Sequence, residues 1–537
     1  MSTVAHDSGK GKGNGGAAII RALEENGVRD VFGIPGTHNL ELYRALAPSG
    51  IRHVLMRHEQ GVGYAADGYA RVSGSPGVCI TTSGPGVANI AAAVGTAYAD
   101  SVPLLVISPG VNRGRERADS GTLHEVKDQR AHMEAITAQG IRAADAAHAA
   151  AVIHEFFASQ GRRRPRPLYL EVPVDVLESR CSLDEMPGPI TYGAPSADPA
   201  ALSRAAVILD HAERVAVVVG GGGREAGPHA VELSSRLGAV IVTTVNGKGA
   251  VDESHPASLG AAIRFAEVQR YLEEADALVL VGTEVAESDL WGPSLRPRGR
   301  VIRIDIDPAQ AHKNVMADVA LIAPAQEALA SLAALVAARA GGAATAAEEA
   351  ARLRPAAMEA ALTDGAAFAE LHAELRASLP DDTVLAGDSS QATYFGSVHF
   401  FGLSPAGRFI YPAGFATLGY GLPAAIGAKV ADPERPVVAV VGDGAFLFSA
   451  IELASAADLG FGLPVVVANN HGFAEIREEM AERGMPPSAV SWREVDLALL
   501  ARACNGRGEV AVGAREVARL VEGALQGREP TVIEYPL

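Results

Sequence analysis

VVAVVGDGAFLFSAIELASAADLGFGLPVVVANNHGFAE, residues 437–475, decides the fold. A β-branched run from Val437 to Val441 stops at Gly442-Asp443-Gly444. A helix-length segment follows, with apolar residues at Phe448, Ile451, Leu453 and Leu459, and a second run, Val465 to Ala468, ends at Asn469-Asn470. Strand, helix and strand in that order form a β-α-β unit, whose right-handed crossover leaves the two strands parallel with their carboxyl ends on one edge of the sheet. Asp443 and Asn470 stand at those two ends.

Neighbouring strands lie roughly 4.8 Å apart, so a carboxylate and an amide oxygen at adjacent carboxyl ends can reach one ion. With a loop carbonyl they make an all-oxygen set. Magnesium prefers hard oxygen ligands and is usually completed by water and phosphate, so the set points to a magnesium-diphosphate cofactor. The plain alternative is a tight GDG turn and an Asn-Asn loop cap. Either half alone suits the plain reading; both together, 470 − 443 = 27 positions apart, favour the cofactor.

That spacing resembles the thiamine diphosphate motif of the 2-oxo acid decarboxylase and acetohydroxyacid synthase superfamily. The resemblance implies that Asp443, Asn470 and the carbonyl of Gly472 hold magnesium, with Gly442, Gly444 and Ala445 beside the cofactor. It extends over nearly the whole chain and implies an α/β fold of three doubly wound domains with parallel sheets: 1–187, pyrimidine-binding; 188–345, central and Rossmann-like; 346–537, diphosphate-binding.

Length and composition agree with an α/β chain of about three domains, since 537 residues carry 48% hydrophobic content and apolar runs alternate with helical stretches. A formal charge of −17 disfavours nucleic acid and anionic membranes as partners. Cys79, Cys181 and Cys504 lie far apart, and MSTVAHDSGKGKGNGG has no apolar core of leader length. The expectation is a soluble cytoplasmic protein without disulfides.

In the first domain, Arg57-His58-Glu59-Gln60-Gly61 follows a strand and opens a helix. An acid in a first helical turn complements the macrodipole without any catalytic role. By resemblance, however, RHEQG with ADGYAR carries the superfamily's catalytic glutamate, Glu59, which hydrogen-bonds the cofactor's aminopyrimidine. Thr82, Ser83-Gly84-Pro85-Gly86 and Asn89 match a turn near the reacting end of the cofactor, ahead of a helix expected to start near Asn89. Some decarboxylases of the group have histidine where Thr82 stands. Leu123 and His124 replace a phenylalanine and a glutamine that line the acetohydroxyacid synthase pocket. Pro167 to Leu177 is expected to close the domain as one long strand.

The central domain imitates a dinucleotide fingerprint with Gly221-x-Gly223-x-x-Ala226, yet no acid ends the next strand, which favours a structural turn over NAD. The sequence leaves FAD undecided and leans against it. An Ala-rich stretch, Ala325 to Leu362, is expected to connect to the third domain. There Ser390 and Gln391, after a strand, suit a diphosphate, though an ordinary N-cap is a close competitor. GFATLGYG, residues 414–421, looks like the segment that bends the cofactor, with Leu418 as wedge and the Ala416 carbonyl on the aminopyrimidine.

Because Glu59 and Asp443 fall in different domains, and relatives build each site from two chains, a homodimer or homotetramer is expected. The resemblance implies a lyase that decarboxylates a 2-oxo acid non-oxidatively to an aldehyde. No tryptophan follows the Asn-Asn segment closely, as one does in acetohydroxyacid synthases. GIPGTHNLELYRAL, LHEVKDQR and NNHGFAEIREEM look closer to decarboxylases of guanidino-substituted 2-oxo acids. His38 or His124 is the candidate proton donor, since histidine titrates near neutral pH. Glu475 is the candidate partner for a cationic tail, against the plain reading of EIREEMAER as a solvated helix face. The alternatives are an acetolactate synthase-like carboligase and a non-catalytic cofactor-binding paralogue.

Overall fold

Each sheet forms where Val-, Ile- and Leu-rich runs end at glycine or a small polar residue, and the inner strands of each sheet are buried on both faces, as covered parallel sheets require. The computed structural model describes residues 11–193 and 195–537. The segment MSTVAHDSGKGKGNGG, read for a leader, lies for residues 1–10 outside the described residues. The chain divides into two compact units, residues 1–160 with 165–193, and residues 161–164 with 194–537.

The first unit holds a six-stranded parallel sheet. Its order is Arg52–Leu55, Asp30–Gly33, Gly77–Ile80, Leu104–Gly110, Leu168–Pro173, Gln139–Arg142. An antiparallel ribbon pairs Lys12–Asn14 with Arg180–Ser182. The expected long strand to Leu177 ends at Pro173, and a helix, Val174–Glu178, takes over. The helix expected near Asn89 begins at Pro85, because proline at a first helical position gives up an N–H that has no partner there anyway.

The second unit contains two parallel sheets. The central one has five strands, in the order Val240–Thr243, Val215–Val219, Ala277–Val281, Arg300–Asp305, Val319–Ile322. Its glycine-rich turn uses its own N–H groups. Gly220 donates to Val281, Gly222 to Gly282 and Gly223 to Gly220, which suits a structural turn better than a phosphate cradle. The expected connector is two helices, Ala325–Leu335 and Gly342–Ser378, the second bent at Gly365.

The last sheet runs Arg408–Ile410, Val384–Gly387, Val437–Gly442, Leu463–Asn469, Pro530–Pro536, Arg507–Val510. Numbered along the chain, this is the order 2-1-3-4-6-5, the same as in the first sheet. In both, the chain steps outward from its first strand and returns on the other side. Ligands bind at such reversals, outside the strand carboxyl ends. The expected crossover helix is broken into Asp443–Leu447, a 3₁₀ turn and Leu453–Leu459, and two of its apolar residues, Phe448 and Ile451, are exposed. No described helix is long and apolar enough to cross a membrane.

The helix that opens with Glu59 runs to Ser73 and is pinned at its far end. Arg71 donates to Asp67 at 2.7 Å and to Asp100 at 2.8 Å, carboxylates that are 0% and 1% exposed. Removing the arginine takes a cationic partner from two buried carboxylates, a loss of about 3–5 kcal/mol. Arg71→Met is therefore expected to lower the first thermal unfolding transition by several degrees. A change of less than a degree in calorimetry would show that the network holds nothing.

Candidate active site

Three adjacent strands of the last sheet deliver their ends to one place: Val384–Gly387 leads to Asp388, Val437–Gly442 to Asp443, and Leu463–Asn469 to Asn470. Asp443 is 3% exposed, and burial raises its carboxyl pKa. One carboxyl oxygen accepts the Gly472 N–H at 3.0 Å. The side-chain oxygen of Asn470 points at acceptors only, 2.8 Å from the Gly472 carbonyl and 3.2 Å from the other Asp443 oxygen. Turning the amide over would satisfy both contacts with N–H donors. With its oxygen turned inward instead, the amide brings a third oxygen beside those of Asp443 and Gly472.

Magnesium with ligands at about 2.1 Å sets neighbouring octahedral oxygens about 3.0 Å apart, which is the spacing found here. The residues therefore fit a divalent cation, and a cation would also reverse the burial that disfavours ionised Asp443. Backbone shape builds the site. His471 has φ 57° and Gly472 φ 151°, and a Cβ on Gly472 would lie 2.3 Å from the Val490 carbonyl oxygen, so only glycine turns this carbonyl inward. Gly444 leaves room for the Phe473 ring, which packs edge-on against Trp492 at 5.0 Å.

Asp388, invisible as a site residue in the sequence, holds two further loops together. Its carboxylate accepts N–H bonds from Ser389, Gly419 and Gly421 at 2.8–3.1 Å. The segment 414–421 is thereby fixed with Ala416 exposed in the left-handed region, φ 51°, and Leu418 half-buried. Ser390 accepts the Gly442 N–H through its hydroxyl. The Gln391 amide is turned elsewhere: it donates to Glu475 at 2.9 Å and to Glu478 at 2.8 Å, while the Tyr394 hydroxyl donates to Glu475 at 3.0 Å. Tyr394 sits on a π-helical turn, Ala392–Ser397, which the sequence did not announce.

In the first unit, Glu59 lies in the first turn of its helix and accepts from the Asn89 amide at 2.9 Å. Gly86 comes close enough that a Cβ would sit 3.2 Å from the Glu59 carboxyl, and a Cβ on Gly36 would sit 2.8 Å from the Thr82 hydroxyl. That hydroxyl is buried and has no hydrogen-bond partner among the described residues. An orphaned buried donor in a wall of glycines marks a surface shaped for something other than the chain itself. His38, Ser83 and His124 meet on the same side, lining a cavity of about 630 Å³. Glu59 belongs to one compact unit and Asp443 to the other.

Family models match three stretches: "thiamine pyrophosphate enzyme, N-terminal TPP binding domain" at residues 13–132, the central domain of the same family at 202–332, and its C-terminal TPP binding domain at 388–535. The chain belongs to the thiamine pyrophosphate (thiamine diphosphate) enzymes. It is 42% identical to a probable 2-ketoarginine decarboxylase of Pseudomonas aeruginosa, over 91% of this chain and 88% of that one. An acetolactate synthase of Arthrospira platensis is 31% identical over 86% and 83% of the two chains. A probable acetolactate synthase large subunit of Methanocaldococcus jannaschii is 29% identical over 97% and 91%.

Burial pushes the Asp388 carboxyl up to about 7, from an ordinary 3.8. Folding then takes up a proton between those values, so the residue's contribution to stability falls as pH rises through that window. Asp388→Asn should remove that slope from the stability-pH profile. It also turns an N–H toward other N–H groups, and hydrogen exchange at Gly419 and Gly421 should become faster. Unchanged exchange at both amides would show that Asp388 does not hold the loop.

Proposed function

We propose that this chain is a magnesium-dependent decarboxylase of 2-oxo acids, releasing an aldehyde from a substrate with a cationic tail. The observation that carries the substrate class is Glu475. It lies on the turn leaving Asn470, half-buried, fixed by Gln391 and Tyr394 beside Glu478, and neither acid has a cationic partner among the described residues. A guanidinium or ammonium group would pair with it through charge-assisted hydrogen bonds. The similarity to a protein described as a 2-ketoarginine decarboxylase supports the same reading.

In this reading Asp443, Asn470 and the Gly472 carbonyl hold magnesium, and the edge formed by Gly442, Gly444, Ala445 and Ser390 receives the diphosphate. Leu418 and Ala416 would hold the cofactor's shape, while Glu59, steadied by Asn89, would hydrogen-bond its aminopyrimidine, with Thr82 nearby. When bound, thiamine pyrophosphate supplies a carbon nucleophile and an electron sink for decarboxylation. His38 and His124 hold the proton that completes the product. Placement of Glu59 and Asp443 in separate units supports a homodimer or homotetramer whose sites are shared between chains. Carboligation is the second reading, favoured by the similarity to acetolactate synthases; Leu123, His124 and the lack of a tryptophan just after Asn470 weigh against it.

Asp443→Ala should abolish magnesium-dependent binding of thiamine pyrophosphate, a loss on the order of 3–5 kcal/mol for a charged ligand removed from a buried site. Calorimetry showing parental affinity would refute the metal assignment. Glu475→Gln should weaken turnover of 5-guanidino-2-oxopentanoate by tenfold or more, about the 1.4 kcal/mol of one charge-assisted contact, and leave pyruvate turnover as it was. Equal activity on both acids, or acetolactate as the main product from pyruvate, would overturn the reading.

A further inference from the structure

Two histidines on different loops share one serine. His38 Nδ1 is 2.6 Å from Ser83 Oγ, and the same oxygen is 3.4 Å from His124 Nδ1; the rings stand edge to face with centroids 5.2 Å apart. Ser83 is 5% exposed, so no bulk water competes for its hydroxyl. The second contact is long, as such bonds often are before substrate arrives, and a small ring movement closes it.

His124 is held in place at some cost. It has φ 63°, in the left-handed region, where a non-glycine residue is strained. Its loop is gathered by Glu125, whose carboxylate accepts the N–H groups of Ser120, Gly121 and Thr122. From the other side the SGPG turn presses on it: a Cβ on Gly84 would lie 2.4 Å from the His124 carbonyl oxygen. Gly84 is fixed in turn by its N–H bond to the buried Gln129 side chain at 2.6 Å. Strain, loop and turn together bring one imidazole against Ser83.

A hydroxyl has one proton and two lone pairs, so Ser83 can accept from one imidazole while donating to the other. We propose that Ser83 is a positioning residue that joins His38 and His124 into one proton relay, in which the pair carries a single transferable proton toward the reacting carbon. With His38 doubly protonated, its Nδ1–H bond breaks as the proton passes to Ser83 Oγ. The O–H bond of Ser83 breaks as its own proton passes to His124 Nδ1. Serine ends unchanged, His38 is neutral and His124 is the cation, with an Nε2 proton to give up. The relay serves either ring as final donor, because the transfer runs equally in reverse.

The surroundings leave this coupling dominant. Burial and the neighbouring His124 both lower the pKa of His38, which disfavours two cations in the pair. Other charges on the cavity wall are largely matched: Arg142 lies between Glu116 and Glu171, and Arg117 pairs with Asp128. Arg115 and Lys127 are exposed on its rim, where solvent screens them.

The relay rests on the proposed decarboxylase reading, and the test separates the two. Histidine ring signals of the full-length protein, labelled with carbon-13 and assigned with His38→Gln and His124→Gln, are followed against pH without substrate. The expected result is that each ring holds one tautomer, set by Ser83, in the parent and in Ser83→Thr and loses it in Ser83→Ala, while the charge coupling of the two rings persists in all three. Turnover of 5-guanidino-2-oxopentanoate should fall about a hundredfold in Ser83→Ala and recover in Ser83→Thr. A proton inventory in mixed light and heavy water should be curved in the parent and linear in Ser83→Ala. Ring tautomers unchanged in Ser83→Ala, a curved inventory that survives it, or a threonine that restores nothing overturns the relay. Parental turnover in both His38→Gln and His124→Gln overturns instead the assignment of these histidines as the acid.

Discussion

The convergence of the Asp443 carboxylate, the Asn470 amide and the Gly472 carbonyl is the constraint on which the rest of the last sheet depends. The fold holds them together with a φ of 151° at Gly472, a left-handed His471 and a buried N–H bond from Gly472 back to Asp443. The amide can give an N–H to its two neighbours in the chain alone, or turn its oxygen to a divalent cation that the same groups would ligate. The surrounding elements serve that arrangement. Asp388 fixes the neighbouring loop at Gly419 and Gly421, and Ser390 fixes Gly442, so three strand ends stay in register where the sheet reverses direction.

The first sheet repeats the strand order of the last but carries different chemistry at its edge. Where the last sheet offers converging oxygens, the first offers a carboxyl steadied by an amide, an unpartnered threonine hydroxyl and two histidines on one serine. One topology thus supplies a charged, metal-compatible edge and a second edge suited to moving protons. In the central sheet the glycine turn is closed on its own N–H groups.

Much of this was legible in the sequence, and for a physical reason. Fully buried parallel strands leave long apolar runs, and strand ends that carry chemistry are marked by glycine and a single polar residue, as at Gly442-Asp443 and Asn469-Asn470. What escaped were features set by tertiary contact. Phe448 and Ile451 read as a helix core, yet the helix breaks between them and both face outward. Asp388 carried no signal of its own, and only the folded chain brings Gly419 and Gly421 onto its carboxylate. Ser83 sat inside a recognised turn, but nothing in the sequence says that residues 38 and 124 meet there.

Glu475 shows how a local rule misleads. The run EIREEMAER is rich in both signs of charge, which is the signature of a solvated helix. Glu479 pairs with Arg483 at 2.8 Å, as the rule expects. Glu475 and Glu478, three positions apart on the same helix, repel each other at that spacing. The Gln391 amide has two N–H groups and gives one to each carboxylate, and the Tyr394 hydroxyl adds a third donor. These donors are neutral, so they hold the two acids in place without cancelling their charge. The two carboxylates therefore keep their negative potential on the helix that follows Asn470 and Gly472.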